Sequence, residues 1–224
     1  MLLSVLMWYI ISYSGILTIV SQAHVGLLRP CARGSPQAGC PAPSKGQRID
    51  YDLSAPIGTS SSRDAPLCRQ STPSTTRTIV KAGHPLETTY LIGAAHGGGH
   101  CQWALSYDNG ENWVVIKTIY RNCLKGLRTG QHYSISIPIP KSAPSGKATL
   151  MWLWNNALGV RELYSNCADI EIHGGPKTGK LSGIAPLIAN YGSGSVKIGE
   201  FGADPRHDDR RAAFTKRKAI TITV

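Results

Sequence analysis

The chain has 224 residues and a formal net charge of +11, from 24 Lys and Arg against 13 Asp and Glu. Residues 24–224 carry all of this charge and are numerous enough for one domain with a sizeable core. A basic surface favours acidic partners and anionic polymers, but no interleaving of basic and aromatic residues indicates a nucleic-acid module. Composition therefore points away from nucleic-acid binding and leaves either a solvated basic surface or a polyanion site.

The first 23 residues have the form of a secretory signal peptide. Residues 2–20 are apolar with scattered Ser, Gly, Tyr and Thr, and Ser21-Gln22-Ala23 places small residues where a signal peptidase cleaves. A basic start is missing, and a run of about twenty apolar residues is also long enough to anchor a chain in a bilayer. We expect cleavage after Ala23, which makes His24 the first residue of a secreted, extracellular or cell-wall protein.

The region after His24 is rich in loops and cysteines. Pro, Gly and Ser cluster in residues 30–47 and 55–76, a composition typical of long irregular loops. An even number of cysteines in a secreted chain predicts disulfides, here three of open connectivity, and the absence of a CxxC pair argues against a zinc cluster. The cysteines are Cys31, Cys40, Cys68, Cys101, Cys123 and Cys167.

The middle of the chain predicts short antiparallel strands. No stretch of residues 24–224 keeps apolar residues at helical spacing for several turns, so we expect an all-β fold, an antiparallel immunoglobulin-like or fibronectin-III-like β-sandwich with disulfide-pinned loops. Trp103, Trp113, Trp152 and Trp154 are expected in its core or on a sheet face. The segments rich in β-branched and aromatic residues are 88–94, 101–120, 133–140, 148–154 and 168–172.

A hairpin is the clearest of these elements. Apolar residues alternate along 103–107 and 113–115, on either side of the turn sequence Asp108-Asn109-Gly110. A disulfide between Cys101 and Cys123 would bracket this hairpin.

Past residue 174 the chain becomes basic and rich in Gly, notably in residues 187–202 and 204–224. This part either wraps the sandwich and ends in a strand at 219–224, or forms a mobile extension. The expected organisation is a signal peptide at 1–23, a sandwich domain at 24–174 and a basic extension at 175–224.

A terminal His24 would offer a metal two nitrogens, its α-amino group and the near nitrogen of its ring. An α-amino pKa of about 8 lets a strongly polarising ion displace the proton near neutral pH. A second imidazole would complete three nitrogens, which suits Cu(II), the divalent ion that binds nitrogen sites most strongly. His96 and His100, in AAHGGGHCQW, are the candidates, and the glycines between them would leave a flat, accessible surface. The spacing alone leaves an exposed, unliganded ring as the alternative, because three glycines argue against a helix.

The motifs together resemble the fungal lytic polysaccharide monooxygenases, most closely the chitin-active auxiliary activity family 11. The resemblance covers residues 24–172 and rests on HVGLLRPC from His24, HGGGHCQWALSYDNGENWVVIK from His96, APSGKATLMWLWNN and GVRELYSNCADIEI, in that order. It implies a copper site in which His24 is the bidentate terminal ligand, His96 the second histidine and Tyr164 the axial ligand. His100 stands where the family often has a small residue, and it stays an alternative to His96.

Two residues of the last motif have other interpretations. Tyr164 could be a core or corner tyrosine that bonds to the backbone. Glu162 shares a strand face with Tyr164 by period-two geometry, and it is a candidate catalytic acid that positions an oxygen species or passes a proton. An exposed glutamate in a salt bridge is the alternative.

The resemblance implies a copper-dependent enzyme that uses O2 or H2O2 and an external electron donor to cleave a crystalline polysaccharide, with chitin as substrate. The expected partners are this polymer and a small-molecule or protein reductant, without nucleic acid, and the chain is expected to be a monomer. A copper-binding or cell-wall-binding protein of the same fold, without cleavage, is the first alternative. A glycoside hydrolase is the second, but it needs two carboxylates flanking the bond and no pair stands out. The acidic residues considered are Asp50, Asp52, Asp108, Glu162 and Asp169.

Overall fold

The computed structural model describes residues 24–202 and 204–224, and the expected signal peptide lies outside these residues. Strands dominate the described residues, which contain one short helix, α1 (Arg211–Thr215). The strands are β1 (Val25–Arg29), β2 (Gly58–Thr59), β3 (Thr78–Lys81), β4 (Pro85–Ile92), β5 (Gly99–Ser106), β6 (Val114–Ile119), β7 (His132–Pro138), β8 (Gly146–Asn156), β9 (Glu162–His173), β10 (Lys180–Ile184) and β11 (Ala219–Thr223). No helix in the described ranges is long and apolar enough to cross a membrane.

Two sheets form the predicted β-sandwich. The smaller sheet has the order β1-β4-β7, and the larger has the order β2-β9-β8-β5-β6, with β3 added in parallel to β9. Tyr90 and Ile92 of the smaller sheet share one buried cluster with Trp103, Trp152 and Ile170 of the larger. The indole N–H of Trp103 donates to the Tyr90 hydroxyl at 2.7 Å. The antiparallel fold that the sequence predicts is therefore confirmed, with its tryptophans inside.

The larger sheet is covered on both faces. Every residue of β5 is buried, and so is nearly all of β8. Ala104, Met151 and Leu153 face away from the central core and pack with Ile57, and Tyr191 packs on the same cluster. Loops near residues 57 and 191 supply this second layer, so both faces of β5 and β8 are buried and their sequences are mostly apolar rather than alternating.

The hairpin and the disulfides follow the sequence pattern. Strands β5 and β6 pair antiparallel around the predicted turn, where Asn109 and Gly110 have positive φ angles of 56° and 95°. All six cysteines are paired, as predicted, and Cys101–Cys123 brackets the hairpin. The other two disulfides are Cys31–Cys40 and Cys68–Cys167. The second of these ties the loop at 55–76 to β9.

A buried ion pair fixes the N-terminal loops to the larger sheet. Arg33 is 1% exposed and donates from Nε and Nη2 to the two carboxylate oxygens of Asp169, at 2.8 and 2.7 Å. Its remaining N–H groups reach the carbonyls of Gln70 and Ser71 and the hydroxyl of Thr149. The loops therefore pack on β9 through a charge that is fully hydrogen-bonded.

The C-terminal part of the chain packs against the sandwich. Strands β10 and β11 pair with each other beside β6, and they place Leu181 and Ile222 in the central core. Phe201 and Phe214 form a separate cluster on the outer side of the larger sheet. Leu181 and Ile222 share the main core with the sandwich strands. The expected boundary between a sandwich domain at 24–174 and an extension at 175–224 stays a prediction.

Candidate metal centre

Three separate parts of the chain meet at one end of the sandwich. His24 directly precedes β1, and its carbonyl accepts backbone N–H groups from Gly93 and Ala94 at the end of β4. His96 lies two residues further on, and Glu162 and Tyr164 are the first and third residues of β9. The antiparallel pairing of the strands therefore collects these side chains from positions far apart in sequence.

The side chains at this end form one cluster, which we call the histidine site. His24, His96 and Glu162 each offer a ligand atom, and these atoms lie within 4.8 Å of one another. The rings of His24 and His96 have centroids 5.9 Å apart, and the Tyr164 ring lies 5.4 Å from that of His24. The Tyr164 hydroxyl donates to Glu162 Oε2 at 2.7 Å and lies 3.5 Å from His96 Nε2.

Burial sets the charges of these groups. It lowers the pKa of His24, and neighbouring His96 lowers it further, although the Glu162 carboxylate acts in the opposite direction. A neutral imidazole is the form that binds a metal. Burial also raises the pKa of Tyr164, and its hydrogen bond to Glu162 adds to this effect. Tyr164 is therefore a protonated donor that holds the Glu162 carboxylate in place.

The donor set fits a transition metal. Two imidazoles and one carboxylate are the facial set typical of non-haem Fe(II), while three nitrogens suit copper. The third nitrogen requires an α-amino group on His24, which a chain cut after Ala23 provides. The choice of metal at the histidine site is thus coupled to processing of the N-terminus.

His100 lies away from this cluster. Its side chain is 1% exposed and packs on the rings of Phe201 and Phe214. Its Nε2–H donates to the carbonyl of Asp209 at 2.9 Å, and its Nδ1 accepts the backbone N–H of Arg121 at 3.2 Å. Both ring nitrogens are occupied, so the structure brings His96 to the histidine site and leaves His100 outside it.

The glycines between these histidines serve packing more than accessibility. Gly98 and Gly99 are buried, and a Cβ at Gly99 would lie only 2.1 Å from the carbonyl oxygen of Asn155. Gly97 is exposed, but a Cβ there would meet Leu158 at 2.7 Å. The expectation of a flat surface formed by all three glycines is therefore wrong for two of them, because β5 begins at Gly99 and packs directly on β8.

One part of the site had no signal in the sequence. The turn between β8 and β9, residues 157–161, packs on His96, and the backbone N–H of Leu158 donates to the His96 carbonyl at 2.9 Å. Leu158 and Val160 are 42% and 64% exposed beside it. Glu200, from the C-terminal part of the chain, accepts the backbone N–H of Gly159 at 2.6 Å.

A β-sandwich with a histidine pair and a carboxylate at one end has the donor set of a metal-binding protein, and its sequence relatives identify the family. An "AA11 family lytic polysaccharide monooxygenase A" from Aspergillus fumigatus is 34% identical over 154 residues, covering 67% of this chain and 68% of the relative. The chain belongs to the AA11 family of lytic polysaccharide monooxygenases. It is therefore a polysaccharide monooxygenase of a copper-dependent class.

Two further relatives carry the same family name. One from A. fumigatus is 31% identical over 128 residues, and one from Aspergillus oryzae is 36% identical over 104 residues. The alignments cover 52% and 41% of this chain but only 31% and 25% of those proteins. A search of family models found no match.

Solved structures show weaker likenesses. A cellulose-active polysaccharide monooxygenase from M. thermophila aligns with a TM-score of 0.46 and 16% identity, over 61% of this chain and 72% of that one. An AA10 lytic polysaccharide monooxygenase from Streptomyces lividans aligns with a TM-score of 0.36 and 15% identity, over 67% and 83% of the two chains.

Proposed function

We propose that this chain is a secreted, copper-dependent monooxygenase that oxidatively cleaves the glycosidic bonds of crystalline chitin. One observation carries the proposal, the approach of ligand atoms of His24, His96 and Glu162 to within 4.8 Å of one another. Membership of the AA11 family supports the reaction class, and the resemblance of the sequence motifs to chitin-active enzymes supports the polymer.

Copper would be held by the α-amino and ring nitrogens of His24 and by a ring nitrogen of His96, and the Tyr164 hydroxyl beside them would be a further ligand. Bound copper supplies one-electron redox chemistry and activation of O2 or H2O2, with electrons from an external donor. Cleavage after Ala23 is part of the proposal, because the amide of an uncut chain is a poor ligand at neutral pH.

The protein's own groups hold a proton acceptor beside the metal ligands. Glu162 is 9% exposed, and its Oε2 accepts the hydroxyl of Tyr164 at 2.7 Å. This bond fixes the carboxylate in one orientation next to His96, so Glu162 can accept a proton during oxygen activation and return it. Glu162 is largely shielded from bulk water, while the exposed side chains of Leu158 and Val160 beside His96 leave a surface that an extended polymer can approach.

Mass spectrometry of soluble products from β-chitin and cellulose tests the proposal. The copper-loaded protein, its His24 terminus verified by intact mass, would be incubated with ascorbate and oxygen. We expect oxidised chitin oligosaccharides that disappear with a chelator and with His96→Ala. The matched control is His173→Ala, because His173 is exposed at the opposite end of β9 from Glu162.

The alternatives give different outcomes. Copper binding without products from either polymer would favour a copper-binding protein of the same fold. Products that survive chelation would favour a glycoside hydrolase. Oxidised products from cellulose alone would keep the reaction and replace the polymer.

A further inference from the structure

An exposed aromatic ring lies close to the histidine site. Tyr51 is 76% exposed, more than any other large hydrophobic residue among those the structure describes. Single exposed apolar residues are common on protein surfaces, so this exposure by itself indicates nothing. The position of Tyr51 gives it meaning, because it lines a cleft that reaches His24.

The cleft lies between β1, the end of β4 and the loop that contains Tyr51. It has a volume of about 130 Å³, and its lining includes His24, Gln37, Asp50, Tyr51, Ser54 and Leu91. Clefts that enclose a drug-sized ligand measure roughly 300–1,000 Å³. This smaller one suits a single sugar ring, or part of one, in a polymer that crosses the surface. His24 lines the cleft and also belongs to the histidine site, so the two share this residue and are neighbours on the surface.

The backbone on both sides of Tyr51 is held in place. The Asp50 carboxylate accepts Arg69 Nε at 2.7 Å, and Arg69 Nη1 donates to the Ala55 carbonyl at 3.1 Å. The backbone N–H of Asp52 donates to Asp50 Oδ1 at 2.9 Å, and that of Asp50 donates to the Gly34 carbonyl at 2.8 Å. With its backbone held, Tyr51 has only two side-chain torsions to order when its ring binds a ligand, and this costs little conformational entropy.

We propose that this cleft is a binding subsite for one sugar ring of the polysaccharide, with Tyr51 as the aromatic platform. The face of the Tyr51 ring packs on the C–H face of the sugar, which removes apolar surface of both from water. Gln37 and Ser54 supply hydrogen-bonding groups, and Asp50 supplies a carboxylate acceptor, for the hydroxyl or amide substituents at the ring edge. The subsite rests on the proposed function, because it takes a neighbouring unit of the chain that the histidine site would cleave.

Binding without turnover tests the subsite. Copper-loaded wild-type protein would be mixed with β-chitin or cellulose in the absence of reductant, and the bound fraction measured against polymer concentration. We expect Tyr51→Ala to weaken binding on the order of tenfold, and Tyr51→Trp to retain it, since one stacked aromatic accounts for that much affinity. The control is Ile79→Ala, because Ile79 is 68% exposed on β3, which pairs with residues 170–173 at the far end of β9.

The outcomes separate the subsite from the reaction. Equal binding by Tyr51→Ala and wild type, with oxidised products still formed, would overturn the subsite and leave the proposed function intact. If Tyr51→Ala binds more weakly than wild type but wild type forms no oxidised products, the subsite is supported and the proposed function is overturned. A wild-type protein that binds neither polymer would overturn the subsite.

Discussion

The backbone N–H of Gly159 donates to the Glu200 carboxylate at 2.6 Å. This bond joins the C-terminal part of the chain, which lies outside the recognised motifs, to the turn that packs on His96. The backbone N–H of Phe201 donates to the Ala157 carbonyl at 3.2 Å, and Arg161 Nη1 donates to the Gly199 carbonyl at 3.3 Å. The turn at residues 157–161, which packs on His96, is therefore held in place by residues 199–201 of the C-terminal part of the chain.

Removal of the Glu200 carboxylate should loosen the turn at residues 157–161. Removal of the hydrogen-bond partner of a metal ligand weakens metal binding by roughly tenfold or more. Because Glu200 contacts the turn and not a ligand, we expect Glu200→Ala to weaken copper binding by less than this. Glu200→Gln keeps an acceptor oxygen and should bind copper as the wild type does. Isothermal titration calorimetry measures both, with Glu171→Ala, at the other end of β9, as control. Equal affinities for wild type and Glu200→Ala would contradict a positioning role.

The Tyr164 hydroxyl should matter for the carboxylate as well as for the metal. Tyr164→Phe leaves the Glu162 carboxylate, which is 9% exposed, without its donor. We expect the free energy of unfolding of the copper-free protein to fall by about 1–2 kcal/mol. Because the hydroxyl would be a copper ligand, electron paramagnetic resonance of the copper-loaded variant should show altered copper parameters. Spectra identical to wild type would contradict that ligand assignment and leave the stability effect to the hydrogen bond.

The buried pair of Arg33 and Asp169 should be expensive to break. We expect Arg33→Met to lower the free energy of unfolding by about 3–5 kcal/mol, because Asp169 stays buried without its main partner. Urea denaturation measures the change. Arg206→Ala is the control, since Arg206 pairs with Asp204 on the surface and should leave stability unchanged. A small effect for Arg33→Met would show that Arg77, 3.7 Å from Asp169, compensates the charge.

His100 should make the protein sensitive to acid. Burial lowers the pKa of His100 from 6.5 to about 4, against the opposing effect of Asp209 and together with Arg121 and Arg211. Between these two values the unfolded chain binds a proton that the folded chain does not. The contribution of neutral His100 to the free energy of unfolding is therefore complete above pH 6.5. It is lost as the pH falls toward about 4, at up to about 1.4 kcal/mol per pH unit.

The comparison of wild type with His100→Gln isolates this effect from other titrating groups. We expect urea denaturation at a series of pH values to show a steeper loss for wild type across that interval. The difference should also be insensitive to copper, because His100 does not reach the histidine site. Parallel pH profiles for the two proteins would show that folding leaves the pKa of His100 unchanged and would contradict this prediction.

The sequence predicts the strands well where one physical signal dominates. The hairpin of β5 and β6 is marked by alternation around Asp108-Asn109-Gly110, and the Cys101–Cys123 disulfide brackets it, as one of the pairings that the sequence leaves open. The start of β9 is not marked, because residues 162–166 are mostly polar and are buried through hydrogen bonds rather than apolar contacts. The Cys68–Cys167 pair joins a loop to a strand 99 residues away, a separation that local patterns do not encode.

In the candidate site, too, some features have a signal in the sequence and others depend on contacts between distant residues. His24, His96, Glu162 and Tyr164 can be named in the sequence because their residue types match a metal-binding family. The burial of His100 depends on Phe201, Asp209 and Phe214, which lie about a hundred residues further along the chain and only meet it in the fold. Tyr51 lies in an irregular loop, and the fold alone brings it into a cleft with His24, so the sequence gives no sign of its position.

A matched pair of proteins that differ only at the N-terminus tests the central claim most directly. One begins at His24 and the other retains Ala23, so both share every side chain of the histidine site and only the first has a free α-amino group on His24. Both would be loaded with copper and incubated with β-chitin, ascorbate and oxygen, and their soluble products analysed by mass spectrometry. We expect oxidised oligosaccharides from the first protein and none from the second. Equal products from both would contradict a catalytic copper site built on the terminal amino group.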